Sequence, residues 1–157
     1  MEDMEWMDSV LYLLYSGFRI SELLDLRTDA VNLEEGTVMD GTKTKAGKDR
    51  IVPIHSKVRH IVEQRIQDGG ERLFSYDGKR CGEERYRKFW WSIMKAATMK
   101  HTPHNCRHTF RSRLDSAGAN KKCINLMMGH KSKEVGERVY THKAIDELKT
   151  TIELVTD

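Results

Sequence analysis

Apolar residues recur at helical spacing along most of this chain and alternate in only one stretch. From Trp6 to Tyr15, Met7, Val10, Leu11 and Leu14 fall at i, i+3, i+4 and i+7, the stripe by which a helix packs on a core. Gly17 follows as a left-handed cap. A shorter helix is expected from Ser21 to Leu26, with Leu23 and Leu26 inward. Residues 31–54 change period. VNL, the EEG turn, TVMD, a basic loop and RIVPI predict a small antiparallel sheet, with Gly36 in a turn and Pro53 marking an edge strand. Helical spacing then returns over Lys57–Gln67, which stops at Gly69-Gly70, and over 83–99, 104–117, 120–129 and 144–155. Trp90 and Trp91 read as one core and one boundary residue of a long helix. The last helix carries Ile145, Leu148, Ile152 and Val155 in a stripe able to pack on its own chain or on a neighbour. There is no internal repeat and no low-complexity segment. The fold class is therefore α+β, mainly helical, with one small antiparallel sheet.

The 157 residues suffice for one substantial core but not two. Lysine and arginine number 27 against 24 acids, a net charge of +3, so an anion-binding surface must come from placement rather than from bulk excess. The basic residues do cluster: Lys43, Lys45, Lys48 and Arg50; Lys79, Arg80, Arg85, Arg87 and Lys88; and Arg107, Arg111, Arg113, Lys121 and Lys122. Any one of these groups taken alone reads as a solvated face. Three scattered cysteines, Cys81, Cys106 and Cys123, argue for a reducing compartment without a disulfide framework. The acidic start MEDMEWM lacks the pattern of a signal peptide, and no apolar stretch approaches the ~18 residues of a membrane span. The expected location is cytoplasmic.

Five strings carry the chemistry: GFRISELLDL, TKTKAGKDRIVPI, HTPHNCRHTF, LMMGHK and VYTHKAIDELK. In that order they closely resemble the catalytic domain of the tyrosine recombinases, the phage-integrase family, and the resemblance runs over essentially the whole chain. It implies a site of Arg19, Lys45, His104, Arg107, His130 and Tyr140, and each residue type suits a separate task in breaking a phosphodiester. Tyr140 is the implied nucleophile; a phenol of ordinary acidity is only about 0.1% ionised at neutral pH, so such a site must activate it. Arg19 and Arg107 are the implied phosphate clamp, because a guanidinium stays charged and offers a planar fork to two oxygens. Glu22, three residues beyond Arg19, is the implied partner that orients it. His104 and Arg107 stand at i and i+3 behind a Thr102-Pro103 helix start, so both fall on one face of a first turn. An imidazole titrates in the right range for His104 to act as the implied acid–base. Lys45, on the loop between strands, is implied to protonate the departing 5′ oxygen, with Lys43 and Lys48 as neighbours that could be confused with it. His130 is implied to hydrogen-bond the phosphate.

A metal reading of His101, His104, Cys106 and His108 is weak, since Cys106 would face away from His104 on a helix. Cys106 and Gly136 depart from the family pattern, the first as a small apolar substitute, the second loosening the segment before the tyrosine. The family resemblance implies no metal and no nucleotide cofactor, double-stranded DNA recombination sites as partners, and a tetramer of this chain on DNA. It also implies that residues 1–157 are the catalytic domain alone, a fragment without the N-terminal helical domain that clamps the other face of DNA. Two alternatives stay open: a type IB topoisomerase-like strand transferase, and a DNA-binding module without turnover.

Overall fold

Phe18, Leu23, Leu24, Phe74, Trp90 and Phe110 are sealed from solvent and form the centre around which the helices gather. The computed structural model describes residues 2–41, 48–130 and 140–157. A 3-10 turn, Glu2–Trp6, leads into α1, Met7–Ser16, and α2 is Ile20–Asp25. Strands β1, Val31–Asn32, β2, Thr37–Gly41, and β3, Lys48–Pro53, form an antiparallel sheet in the order β1-β2-β3. Val38 pairs with Val52 and Thr37 with Pro53, so the proline lies on the edge strand, where its missing N–H costs no ladder bond. A 3-10 turn, Ser56–Val58, precedes α3, Arg59–Gln67. Then come a small hairpin of β4, Ser75–Tyr76, and β5, Lys79–Arg80, and the helices α4, Glu83–Ala96, α5, Pro103–Ser116, α6, Lys121–Met128, and α7, His142–Ile152. Among the described residues no helix is long and apolar enough to cross a membrane.

The expected α+β, mainly helical class holds, and most helix limits fall within a few residues of those expected. One face is corrected. Met7 and Leu11 are exposed, and the buried side of α1 is Ser9, Tyr12, Leu13 and Ser16. Nearly every residue of this helix is apolar, so two phases of the same period compete, and the serines disguise the true one. Their hydroxyls lose little on burial because they find partners. Ser9 Oγ donates to the Trp6 carbonyl at 2.5 Å and pairs with Tyr86 Oη at 2.9 Å. The hairpin β4-β5 was not foreseen; Asp77 and Gly78 both take positive φ in its turn, as a two-residue I′ turn requires. Trp90 is buried, the core member expected of the pair, whereas Trp91 is exposed rather than at the boundary.

The apolar stripe of α7 packs on its own chain, with Leu148 and Ile152 buried where the helix meets α6 and β3, and Val155 buried just beyond the helix end. Polar contacts close the end. The amide and hydroxyl of Ser56 donate to Glu153 at 2.8 and 2.7 Å, and Lys57 Nζ donates to Asp157 at 2.6 Å. His55 Nδ1 accepts from the Lys57 amide at 3.1 Å, which leaves Nε2 to donate to the Val155 carbonyl at 2.8 Å.

Gly17 joins α1 to α2 at φ +71, and a Cβ there would meet Phe110 Cδ1 at 2.5 Å. Gly17→Ala therefore combines left-handed strain with overpacking of a sealed ring. It should lower stability by about 2–4 kcal/mol, read as a fall in the urea midpoint at unchanged slope.

Candidate active site

The left-handed Gly17 turns the chain sharply, so that Phe18 enters the core while Arg19, the residue before α2, keeps 41% of its side chain exposed. Glu22, one turn into α2, is buried and reaches back to accept the Arg19 amide at 2.9 Å, half of a capping box. Its carboxylate also gathers side chains from three elements. Arg19 Nη1 lies 3.4 Å and Arg107 Nη1 3.7 Å from Oε1, while Arg50 Nη1 of β3 lies 2.6 Å from Oε2. Glu22 thus contacts Arg19, the residue that the resemblance pairs it with, and lies beside two further guanidinium groups.

Thr102 and Pro103 start α5 as expected, and the Thr102 amide donates to Asn105 Oδ1 at 2.7 Å. From this helix Arg107 points inward, buried, and its fork is fully directed. Nη1 donates to the Gly17 carbonyl at 2.7 Å and Nη2 to the Met128 carbonyl at 2.8 Å. Arg107 therefore does not belong to the exposed basic group in which its sequence position placed it. Burial, then the neighbouring Arg19, pushes its pKa down to about 10, against the pull of Glu22; it remains a cation at neutral pH.

Gly129 ends α6 in a left-handed cap and delivers His130 beside that fork. His130 Nε2 lies 3.3 Å from Arg107 Nη2, and Nδ1 lies 3.4 Å from Arg111 Nη1. A guanidinium only donates, and a neutral imidazole has one acceptor nitrogen. At least one of the two contacts is therefore not a hydrogen bond, and His130 stands between two guanidinium groups. His104 is exposed one turn before Arg107 on α5, its ring edge-on to His108 with centroids 4.6 Å apart. Both histidines are held below the ordinary imidazole value. For His104 the causes are burial, then His108, Arg107 and Arg19; for His130 they are burial, then Arg107, Arg111, Arg19 and Arg50. The field around them is positive.

Tyr140, half-buried just before α7, is held from the other side. Its Oη accepts the Ile51 amide of β3 at 3.2 Å, one residue along the strand from Arg50. The structure thus brings Arg19, Glu22, Arg107, His104 and His130 to one charged centre and docks Tyr140 on the strand that feeds it. Lys45, with its neighbour Lys43 and with Gly136, lies outside the described residues. Cys106 is buried while His104 is exposed, so the two face apart.

Arg50 is the participant not singled out from the sequence. It is fully buried, two residues before Val52 and four before Ile54, on the core-facing parity of its strand. A charged residue at an inward position of an apolar strand is the signal that could have found it.

The phage integrase family model matches residues 4–147. Tyrosine recombinase XerA of Pyrococcus furiosus is 32% identical over 92% of this chain and 52% of its own length. Tyrosine recombinase XerD of Oceanobacillus iheyensis is 30% identical over 90% of this chain and 51% of its own length. The chain thus spans about half the length of the curated relatives it matches. The Tn1549 transposon integrase (residues 82–397), solved in complex with circular intermediate DNA, superposes with a TM-score of 0.71. It is 25% identical, over 83% of this chain and 51% of that one.

Two outcomes follow from the charges. Because the folded state favours neutral His104 and His130, unfolding takes up protons. Stability is full above the ordinary imidazole value of about 6.5 and falls as pH drops through and below it. Titration of the ring protons by NMR should give both midpoints below that value, and Arg19→Ala should raise both, since it removes a cation that opposes protonation. Glu22→Gln leaves buried guanidinium groups without their carboxylate and should cost about 3–5 kcal/mol in chemical denaturation.

Proposed function

Because this chain belongs to the phage integrase family, we propose that it is the catalytic part of a site-specific DNA recombinase, which cuts and rejoins strands through a covalent 3′-phosphotyrosyl intermediate. The observation that carries the reading is the convergence on Glu22 of Arg19, Arg107 and the strand that docks Tyr140. Arg19 is exposed enough to meet a phosphate, and Arg107 and His130 sit beside it with donors in a fixed frame. Donors preorganised at a buried centre stabilise the charge that develops on the non-bridging oxygens of a pentacoordinate phosphorus, usually the largest catalytic contribution.

In this mechanism Tyr140 Oη attacks the scissile phosphorus and its proton passes to a nearby base, for which His104 is the assigned group. The P–O5′ bond breaks, Lys45 gives a proton to the departing oxygen, and a 3′-phosphotyrosyl ester and a free 5′-hydroxyl result. A 5′-hydroxyl from a partner duplex then attacks the ester and gives its proton back to Lys45, the P–O bond to Tyr140 breaks as Tyr140 regains its proton from His104, and the strand is rejoined. No bond energy is lost to water, which suits exchange rather than hydrolysis. The transposon integrase solved with DNA supports double-stranded DNA as the substrate, and the relatives' names support exchange between sites over a topoisomerase-like activity. Assembly as a tetramer on two DNA sites belongs to the same reading.

Covalent trapping tests it. Short nicked duplexes of randomised sequence let the cleaved end diffuse away, so slow cleavage accumulates, and denaturant-resistant adducts recovered from the pool identify the preferred site. The expected adduct is absent in Tyr140→Phe. An equal yield of adduct from Tyr140→Phe, or DNA binding without any adduct, refutes this assignment.

A further inference from the structure

Arg50 is the most completely buried charge in the described fold, at 0% exposure, and it takes no part in the mechanism above. A buried guanidinium is not explained by stability, since replacing a buried ion pair with apolar side chains of similar volume is often neutral or stabilising. Its strand offers apolar neighbours of the same parity in Val52 and Ile54. The ion must be accounted for by what it touches.

It touches both sides of Arg19. Its guanidinium lies over the Phe18 ring, 4.9 Å from the centroid, and its Nη1 is 2.6 Å from Glu22 Oε2. That contact divides the carboxylate. Oε2 faces Arg50, while Oε1 serves the Arg19 amide at 2.9 Å, Arg19 Nη1 at 3.4 Å and Arg107 Nη1 at 3.7 Å. The next residue on the strand, Ile51, donates its amide to Tyr140 Oη at 3.2 Å. Direct contacts therefore run without a break from Tyr140 through Ile51, Arg50 and Glu22 to Arg19 and Arg107.

We infer that Arg50 is a positioning residue for strand cleavage: it fixes the Glu22 carboxylate so that one oxygen orients the arginine clamp, and it sets the register of the strand that docks the nucleophile. This rests on the recombinase reading above. Sealed from solvent, Arg50 cannot touch DNA, so its effect falls on the rate of cleavage and not on binding. A lysine keeps the charge but cannot reproduce a planar fork that meets a carboxylate while its centre sits over a ring. The clamp and the nucleophile then shift relative to one another, and a misplacement near 1 Å costs on the order of 100-fold in rate.

The test uses the nicked duplex recovered by trapping, with the unaltered chain and its Arg50→Lys and Arg50→Met variants. Melting curves confirm which variants fold, and Arg50→Lys keeps the comparison available if the methionine variant does not. The expected result for Arg50→Lys is DNA affinity within about threefold of the unaltered chain, with single-turnover cleavage at saturating DNA slowed on the order of 100-fold. A second substrate carries a neutral methylphosphonate at the scissile position, which asks less of the arginine clamp. On it the Arg50→Lys deficit should shrink to less than about tenfold, because a clamp set askew matters less where no non-bridging charge needs neutralising. A deficit of equal size on both substrates, weakened DNA binding at an unchanged saturating rate, or cleavage within about threefold of the unaltered chain would each overturn the role of Arg50 alone. Failure of the unaltered chain to form a Tyr140-dependent adduct would remove the reading beneath it, and the inference with it.

Discussion

The carboxylate of Glu22 lies between guanidinium groups that arrive from three separate parts of the chain: Arg19 from the turn before α2, Arg50 from β3 and Arg107 from α5. A buried carboxylate surrounded in this way holds those elements to one arrangement, because each charge left alone in the interior would cost several kcal/mol. The left-handed Gly17, the sharp entry of α2 and the inward parity of β3 all serve that meeting. The carbonyls that receive Arg107, those of Gly17 and Met128, belong to the ends of α1 and α6. The charged centre is therefore also where the helical framework is joined, and a change that loosens one loosens the other.

The parts around this centre are held with unequal firmness. Arg107 is locked by two carbonyls and sits on a helix whose start is capped. Tyr140 is tied by one amide bond to β3, a contact worth about 1 kcal/mol. Under the proposed mechanism Arg107 must meet the phosphate in a fixed geometry, whereas Tyr140 has to leave its resting contact, attack and return. The difference in anchoring matches that difference in task. The positive field that depresses both histidines favours the neutral imidazole, which under the proposed mechanism is the form in which His104 accepts a proton.

Much of this was legible in the residues. Thr102-Pro103 announced α5, the i and i+3 placement of His104 and Arg107 gave their shared helix, and the period change at residue 31 gave the sheet. Other features were hidden for physical reasons. In α1 apolar residues outnumber polar ones on more than one side, so periodicity could not choose a face, and the serines of the true one are satisfied by partners that no period reveals, the Trp6 carbonyl and Tyr86 for Ser9 and the Phe18 amide for Ser16. The Asp77-Gly78 pair is a strong hairpin signal, but two-residue strands give almost no alternation to read beside it. Arg50 was hidden by its company, since a basic loop leads into it and it reads as the last of a solvated run. Only the parity of Val52 and Ile54 sets it inward, and parity becomes decisive once the strand's register is known.

The last helix brings the nucleophile and the framework together. Thr141 caps α7, its Oγ1 accepting the Ala144 amide at 3.1 Å, so Tyr140 stands directly at the helix start and goes where the helix goes. On this chain α7 is seated by Leu148, Ile152 and Val155, each worth about 1.5–3 kcal/mol when fully buried. The polar contacts of Ser56 and Lys57 with Glu153 and Asp157 close its end. Lifting α7 away would thus cost several kcal/mol unless an equivalent apolar surface received it. A neighbouring copy of the same chain would offer that surface, since it carries the same seat on β3 and α6. Whichever seat α7 occupies fixes where Tyr140 can reach, so under the proposed mechanism the anchoring of this stripe would set how readily Tyr140 is presented to a DNA strand.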